Sequence, residues 1–199
     1  MLILNLLAKK NTTMKNITFL ISVFLITSSS LAQEYSLNTS SSELKWTGTE
    51  LTTKIHYGSI DFKSGTITLS EGQPVSGKFV VNMTTLKNED LPEAYRGRLE
   101  GHLKSDDFFS VDKFSEAILE INGSNKLSSG SFDVNGNLTI KGITEPINFS
   151  MSTSDDHWVA NLTFDRSKYN VRFRSGTFFE NLGDKLIYDD IVIETKLRF

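Results

Sequence analysis

Phe62-Lys63-Ser64-Gly65-Thr66-Ile67-Thr68-Leu69-Ser70-Glu71-Gly72-Gln73-Pro74-Val75-Ser76-Gly77-Lys78-Phe79-Val80-Val81-Asn82-Met83 carries the pattern that decides the fold. Thr66 to Leu69 alternates polar with apolar, as a half-buried strand does. Ser70 to Pro74 collects turn residues, and Gly77 to Met83 then sets Phe79, Val81 and Met83 against Lys78, Val80 and Asn82. Upstream, Leu51 to Phe62 reads as a longer strand that ends in a tight Lys63-Ser64-Gly65 turn. Three strands joined by short turns make a meander, the mark of antiparallel sheet.

Downstream the period changes once. Asp90-Leu91-Pro92-Glu93 offers an N-cap, a proline in the first turn and an acid three residues on. Leu91, Tyr95, Leu99 and Leu103 then recur at helical spacing, predicting one amphipathic helix over residues 90–105 that Asp106-Asp107-Phe108-Phe109 stops. Strand patterns resume at Ala117–Ile121, Ser131–Lys141, Ile143–Ser152, Trp158–Phe164, Tyr169–Phe173 and Asp190–Phe199. Eight to ten strands and one helix make an all-β protein.

A single twisted sheet of that many strands tends to curl and close, which also removes its edges. The expectation is an extended antiparallel β-barrel of about eight strands, wide enough for side chains or one small ligand. Its inward set is apolar: Phe62, Phe79, Val81, Phe149, Trp158, Leu162 and Phe164. A two-sheet sandwich explains the same alternation and stays open here. So does an outer-membrane barrel, suggested by Phe199 closing a strand with Ile191, Ile193 and Leu197 at every second position; the charged helix and uneven strands speak against stable membrane insertion.

The chain has 199 residues, 38% of them hydrophobic, with 14 Phe and no Cys. That suits one domain with an aromatic core and no disulfide framework. Lys9, Lys10 and Lys15 precede the apolar run Ile17 to Ile26 and the small residues that lead to Leu31-Ala32, the layout of a secretory signal peptide. The expectation is a signal peptide over residues 1–32, with Met14 the natural start, cleavage near Ala32, and a periplasmic or secreted domain over residues 33–199. An uncleaved anchor is the alternative. Without those three lysines, 18 Lys and Arg face 24 Asp and Glu. An acidic domain lacks the concentrated positive charge that phosphate backbones need, so nucleic acid is excluded as a partner.

Four phrases stand in order along the strands: Lys54-Ile55-His56-Tyr57-Gly58, His102-Leu103-x-Ser105-x-Asp107-Phe108-Phe109, Leu138-Thr139-Ile140-Lys141-Gly142 and Asp165-Arg166. On these the chain, from about Tyr35 to Phe199, resembles the YceI-like family of polyisoprenoid-binding, lipocalin-like periplasmic proteins. The resemblance implies a barrel with a helix near one end and a long apolar tunnel that holds an isoprenoid lipid or quinone, with no other cofactor. It departs at Val111-Asp112-Lys113-Phe114-Ser115-Glu116-Ala117, where the family often has Tyr-Pro before an Ala. That change touches a strand entry rather than the tunnel.

The residues expected to meet the ligand are Trp46, Ile55, His56, Tyr57, Phe62, Phe79, Val81, Leu99, His102, Leu103, Phe108, Phe149, Leu162, Phe164 and Arg166. His56 reads first as a structural histidine bonded to a neighbouring strand and second as a contact for a ligand head. His102 reads as a half-buried helix residue. Asp165 and Arg166 read as an internal ion pair fixing a turn, with phosphate or quinone-oxygen recognition as the second reading for Arg166. No metal site is expected, because the three histidines lack tight ligand spacing and no Cys is present, although His56 and His102 could converge. No nucleophile elbow, phosphate loop or His-Glu-x-x-His occurs, so the chain is read as a binding protein and not an enzyme. The partner is then a hydrophobic lipid, with a homodimer allowed. A ligand-free structural or interaction barrel is the competing reading.

Overall fold

The computed structural model describes residues 31–199. The signal-peptide expectation falls on residues that, apart from Leu31 and Ala32, lie outside the described ones. Eleven strands form one antiparallel sheet: β1 (Gln33–Ser36), β2 (Glu43–Glu50), β3 (Ile55–Ser59), β4 (Phe62–Ser70), β5 (Gln73–Asn82), β6 (Lys87–Asn88), β7 (Glu116–Lys126), β8 (Phe132–Ile140), β9 (Ile143–Thr153), β10 (Trp158–Asp165) and β11 (Ile187–Leu197). Helix α1 (Glu93–Lys104) is inserted between β6 and β7. β1 and β6 are short pieces that cover the edges of the sheet, and nine strands remain between them where about eight were expected.

The hydrogen-bonded order is β1-β4-β5-β7-β8-β9-β10-β11-β2-β3-β6. β3 and β4 lie second from opposite edges of that ladder, yet only Ile60 and Asp61 separate them in the chain. A two-residue link can join opposite edges only if the sheet curls round on itself. The N-terminal segment closes the same seam: the Leu37 amide donates to the Gly65 carbonyl at 2.8 Å and the Asn38 amide to the Arg198 carbonyl at 2.7 Å. One curled sheet excludes the two-sheet sandwich. Two hairpins are tight and two-residue, with Glu71 and Gly72 between β4 and β5, and Lys141 and Gly142 between β8 and β9, all at positive φ as type I′ turns require.

Several details differ from the sequence reading. Tyr169–Phe173 is not a strand, since Arg166–Tyr169 forms a 3₁₀ turn, and the long strand expected over Leu51–Phe62 is reduced to β3. Lys63-Ser64-Gly65 does not turn; it lies inside β4, where the register shifts between Phe62 and Ser64. A bulge absorbs the small residues there. Gly65 is small for a packing reason, since a Cβ would meet Phe79 at 2.8 Å and Leu37 at 2.9 Å. The first meander is therefore β4-β5-β7, and β3 pairs with β2 and β6 instead of β4. Helix α1 starts at Glu93, with Pro92 at its N-cap position and no side-chain cap. Asp90 is unavailable as a cap because its carboxylate is engaged elsewhere. The apolar face of α1 is also narrower than its spacing suggests: Leu103 is buried and Leu99 packs on the core, but Tyr95 is 64% exposed.

Candidate functional site

The alternation of the strands places one parity of each on a common interior surface. From β2 come Leu44, Trp46 and Gly48; from β5, Phe79 and Val81; from β9, Phe149 and Met151; from β10, Ala160, Leu162 and Phe164; from β11, Ile191, Ile193 and Leu197. α1 contributes Leu99, His102 and Leu103, and the segment after it contributes Phe108 and Phe109. Between them lies about 1400 Å³ of space not filled by protein atoms, part of it continuous with solvent. What marks this space is its lining, which is apolar on nearly every side. Gly48 belongs to this wall; a side chain there would press on Ile191 at 3.4 Å.

Of the residues singled out by sequence, Trp46, His56, Phe62, Phe79, Val81, Leu99, His102, Leu103, Phe108, Phe149, Leu162 and Phe164 line this cavity. Ile55, Tyr57 and Arg166 do not. Ile55 and Tyr57 flank His56 on β3, so the parity that turns His56 inward turns them outward. Ile55 is 53% exposed, and the Lys45 ammonium stacks on the outer face of Tyr57 at 4.3 Å. Trp158, of the expected inward set, instead packs on Phe132 with ring centroids 5.7 Å apart.

Arg166 is wholly buried and fully committed to the scaffold. Its guanidinium donates to the carbonyls of Val171, Phe173, Ile187 and Tyr188 at 2.9–3.3 Å, and pairs with Asp189 at 3.1 Å. Burial pushes its pKa down, while Asp189 and Asp165 pull it back up. Asp165 is not the partner expected of it: its side chain accepts from the Ser167 amide and hydroxyl and caps a short 3₁₀ turn. Each guanidinium nitrogen thus donates to a backbone carbonyl, and Arg166 does not line the cavity.

The polar part of the cavity wall is small. Apart from Thr49 and Thr195, it consists of Glu50, His56 and His102. The Thr195 hydroxyl is spent on the Ala160 backbone. His56 Nδ1 lies 2.8 Å from Asp90 Oδ2, and Asp90 Oδ1 accepts from the Tyr57 amide at 3.0 Å and from the Asn88 side chain. Burial pushes the Asp90 carboxyl up, but the Tyr57 amide, His56 and Asn88 outweigh it and hold the group below its ordinary value. Gly58 permits this arrangement, since a Cβ there would collide with the Lys87 carbonyl of β6. His102 Nε2 is buried with no hydrogen-bond partner, its ring set against Phe173 and Phe108 at 4.3 and 5.9 Å.

Sequence reasoning missed two residues of this region. Asp90 reads as a helix cap, and Lys141 reads only as the last residue of a strand. The Lys141 ammonium donates to the Phe108 carbonyl at 2.8 Å and the Asn170 carbonyl at 3.0 Å. It ties the aromatic segment after α1 to the β8–β9 hairpin. The signal was present in Leu138-Thr139-Ile140-Lys141-Gly142: a cation in a tight hairpin, where an Asn or Asp would serve the turn better. Among the described residues, no three His, Cys, Asp or Glu side chains converge to hold a metal ion, and no helix is long and apolar enough to cross a membrane.

Comparison with known proteins agrees with this architecture. "Protein YceI" of Salmonella arizonae and of Salmonella newport are each 33% identical over 105 residues, which is 51% of this chain and 52% of theirs. The chain thus spans about half the length of the curated relatives it matches. Among solved structures, BcnA of Burkholderia cenocepacia superposes with a TM-score of 0.62 at 15% identity, over 81% of this chain and 98% of that one. A polyisoprenoid-binding domain from Saccharophagus degradans follows at 0.54 and 14% identity, over 84% and 97%. At such identities the likeness is one of fold. Residues 35–199, essentially the whole described domain, match the YceI-like domain, and the chain belongs to that family.

Proposed function

We propose that this protein binds a polyisoprenoid, or a lipid with a similarly long apolar chain, inside the barrel. The observation that carries the reading is the lining of the cavity: Phe, Leu, Ile, Val, Met, Ala and Trp side chains from nine strands and α1 make almost all of its wall. Each buried methylene-sized group is worth about 0.8 kcal/mol, so a chain of about eight isoprene units gains on the order of 30 kcal/mol gross. Ordering the chain removes much of that, and affinities saturate near roughly −18 to −21 kcal/mol. Apolar contact alone is thus enough to take such a chain from water. The likeness of fold to the polyisoprenoid-binding domain from Saccharophagus degradans supports the same reading. The role is binding and carriage without chemistry on the cargo. It is exercised outside the cytoplasm, on the strength of the Lys-led apolar N-terminus and its small residues before Gln33.

The two tryptophans give a direct test. Trp46 lines the cavity and Trp158 does not. In Trp158→Phe, a C20 prenol should change Trp46 emission saturably, at one ligand per chain. A tryptophan at Ala160, whose Cβ faces the cavity, should abolish saturation while the melting transition survives. Emission unmoved by any long-chain lipid would contradict the proposal, and an exported protein that does not begin near Gln33 would contradict the assigned location.

A further inference from the structure

Glu50, His56 and His102 remain unexplained by packing. Glu50 ends β2, His56 is held by Asp90 three residues before α1 begins at Glu93, and His102 lies on α1; all three line the cavity. Glu50 Oε1 and His56 Nε2 stand 3.9 Å apart, too far for a hydrogen bond, and the Glu50 carboxylate has no closer partner among the described residues. Asp90 can only accept, so the proton shared with it sits on His56 Nδ1, which leaves Nε2 of the neutral ring as an acceptor. With the ring neutral, two acceptors thus stand 3.9 Å apart, where a donor on a ligand could bond to either. His102 Nε2 is a third unmet polar atom on the same wall.

No Lys or Arg lines the cavity among the described residues. With Glu50 and Asp90 ionised, the cluster is negative when His56 is neutral and still negative when it is an imidazolium. A phosphate head would bring like charge against Glu50 and Asp90, and such juxtaposition costs several kcal/mol. An uncharged head that carries a donor, such as an alcohol, a quinol hydroxyl or an amide, instead satisfies the gap by donating to Glu50 or to His56 Nε2. We infer that this cluster is the head-group subsite and that it selects a neutral, donor-bearing apolar lipid over the phosphorylated one. The inference rests on the lipid-binding reading above and narrows it.

The test uses three C20 isoprenoid probes of the same chain: the alcohol, its phosphate monoester and the saturated hydrocarbon, each followed on Trp46 in the Trp158→Phe protein. The alcohol should bind at least about tenfold more tightly than the phosphate, a difference of about 1.4 kcal/mol. Glu50→Lys should erase or reverse that preference and leave hydrocarbon affinity within about threefold, a pattern that general damage to the fold would not produce. Phosphate bound as tightly as alcohol by the unaltered residue 50, or an unchanged ratio in Glu50→Lys, would overturn the subsite. Failure of all three probes, hydrocarbon included, would instead overturn the lipid-binding reading and the subsite with it.

Discussion

Arg166 and His56 are both sheltered polar side chains, each set against a carboxylate, Asp189 at 3.1 Å and Asp90 at 2.8 Å. Their surroundings differ in one respect. Arg166 is completely enclosed and every nitrogen of its guanidinium has a carbonyl or carboxylate to meet. His56 has only one ring nitrogen bonded, and its other nitrogen points toward Glu50 across an unbridged gap on the cavity wall. A polar group whose valences are all met inside the protein holds the structure together. One that keeps a valence open beside a cavity is available to something from outside. Type and charge alone point the other way, since an arginine is the natural candidate for ligand recognition and a histidine in a strand the natural structural residue.

The largest expected effect falls on the satisfied side of that contrast. Arg166→Met strands four carbonyls without their donor and Asp189 without its cation, and breaking a buried pair in this way costs about 3–5 kcal/mol. Chemical denaturation should show a loss of that order, or no folded protein at all; a change below about 1 kcal/mol would erase the distinction drawn here. Lys141→Met comes next. It removes two donor bonds from a partly buried ammonium, at a cost of about 1–3 kcal/mol, and should raise hydrogen exchange in the Phe108–Ser110 segment. If that segment is unmoved, Phe108 is held by packing alone.

The His56 side should respond to acid. The Asp90 carboxyl titrates below its ordinary 3.8 in the folded protein, so its contribution to stability is full above that value and is lost as pH falls through the lower, folded value. Asp90→Asn should therefore have a flatter stability profile below about pH 4 than the unaltered protein, measured by thermal melts in matched buffers. Parallel acid limbs would mean that Asp90 does not hold His56 through charge. The smallest effect is expected on the outer surface, where Lys78 and Glu120 pair at 2.9 Å with both side chains about half exposed. Lys78→Met should change stability by no more than about 1 kcal/mol, and less in high salt.

Much of the barrel was legible because burial leaves period-2 alternation unambiguous where only one face is apolar. Ala160, Leu162 and Phe164, or Phe149 and Met151, could hardly face any other way. β3 was not legible on the same grounds, because Ile55, His56 and Tyr57 offer no clean contrast and a one-residue shift exchanges the two faces. The pairing of Arg166 with Asp189 escaped notice because it joins residues across a long connection, while Asp165 lay next door in sequence. Neighbours on a strand point to opposite sides, so adjacency argued against the pair. Ser64 and Gly65 carry turn chemistry that tertiary packing overrode, with Leu37 and Phe79 occupying the space the glycine leaves. Asp90 carried the signal of a cap, and three other donors reached it first.

Native mass spectrometry of the protein recovered from the exported fraction of its own cells tests the central claim most directly. The account predicts a discrete noncovalent adduct with the mass of one long-chain lipid per polypeptide, released by organic extraction and absent from the Ala160→Trp variant. A bare polypeptide mass, together with refusal of added prenol, would contradict it.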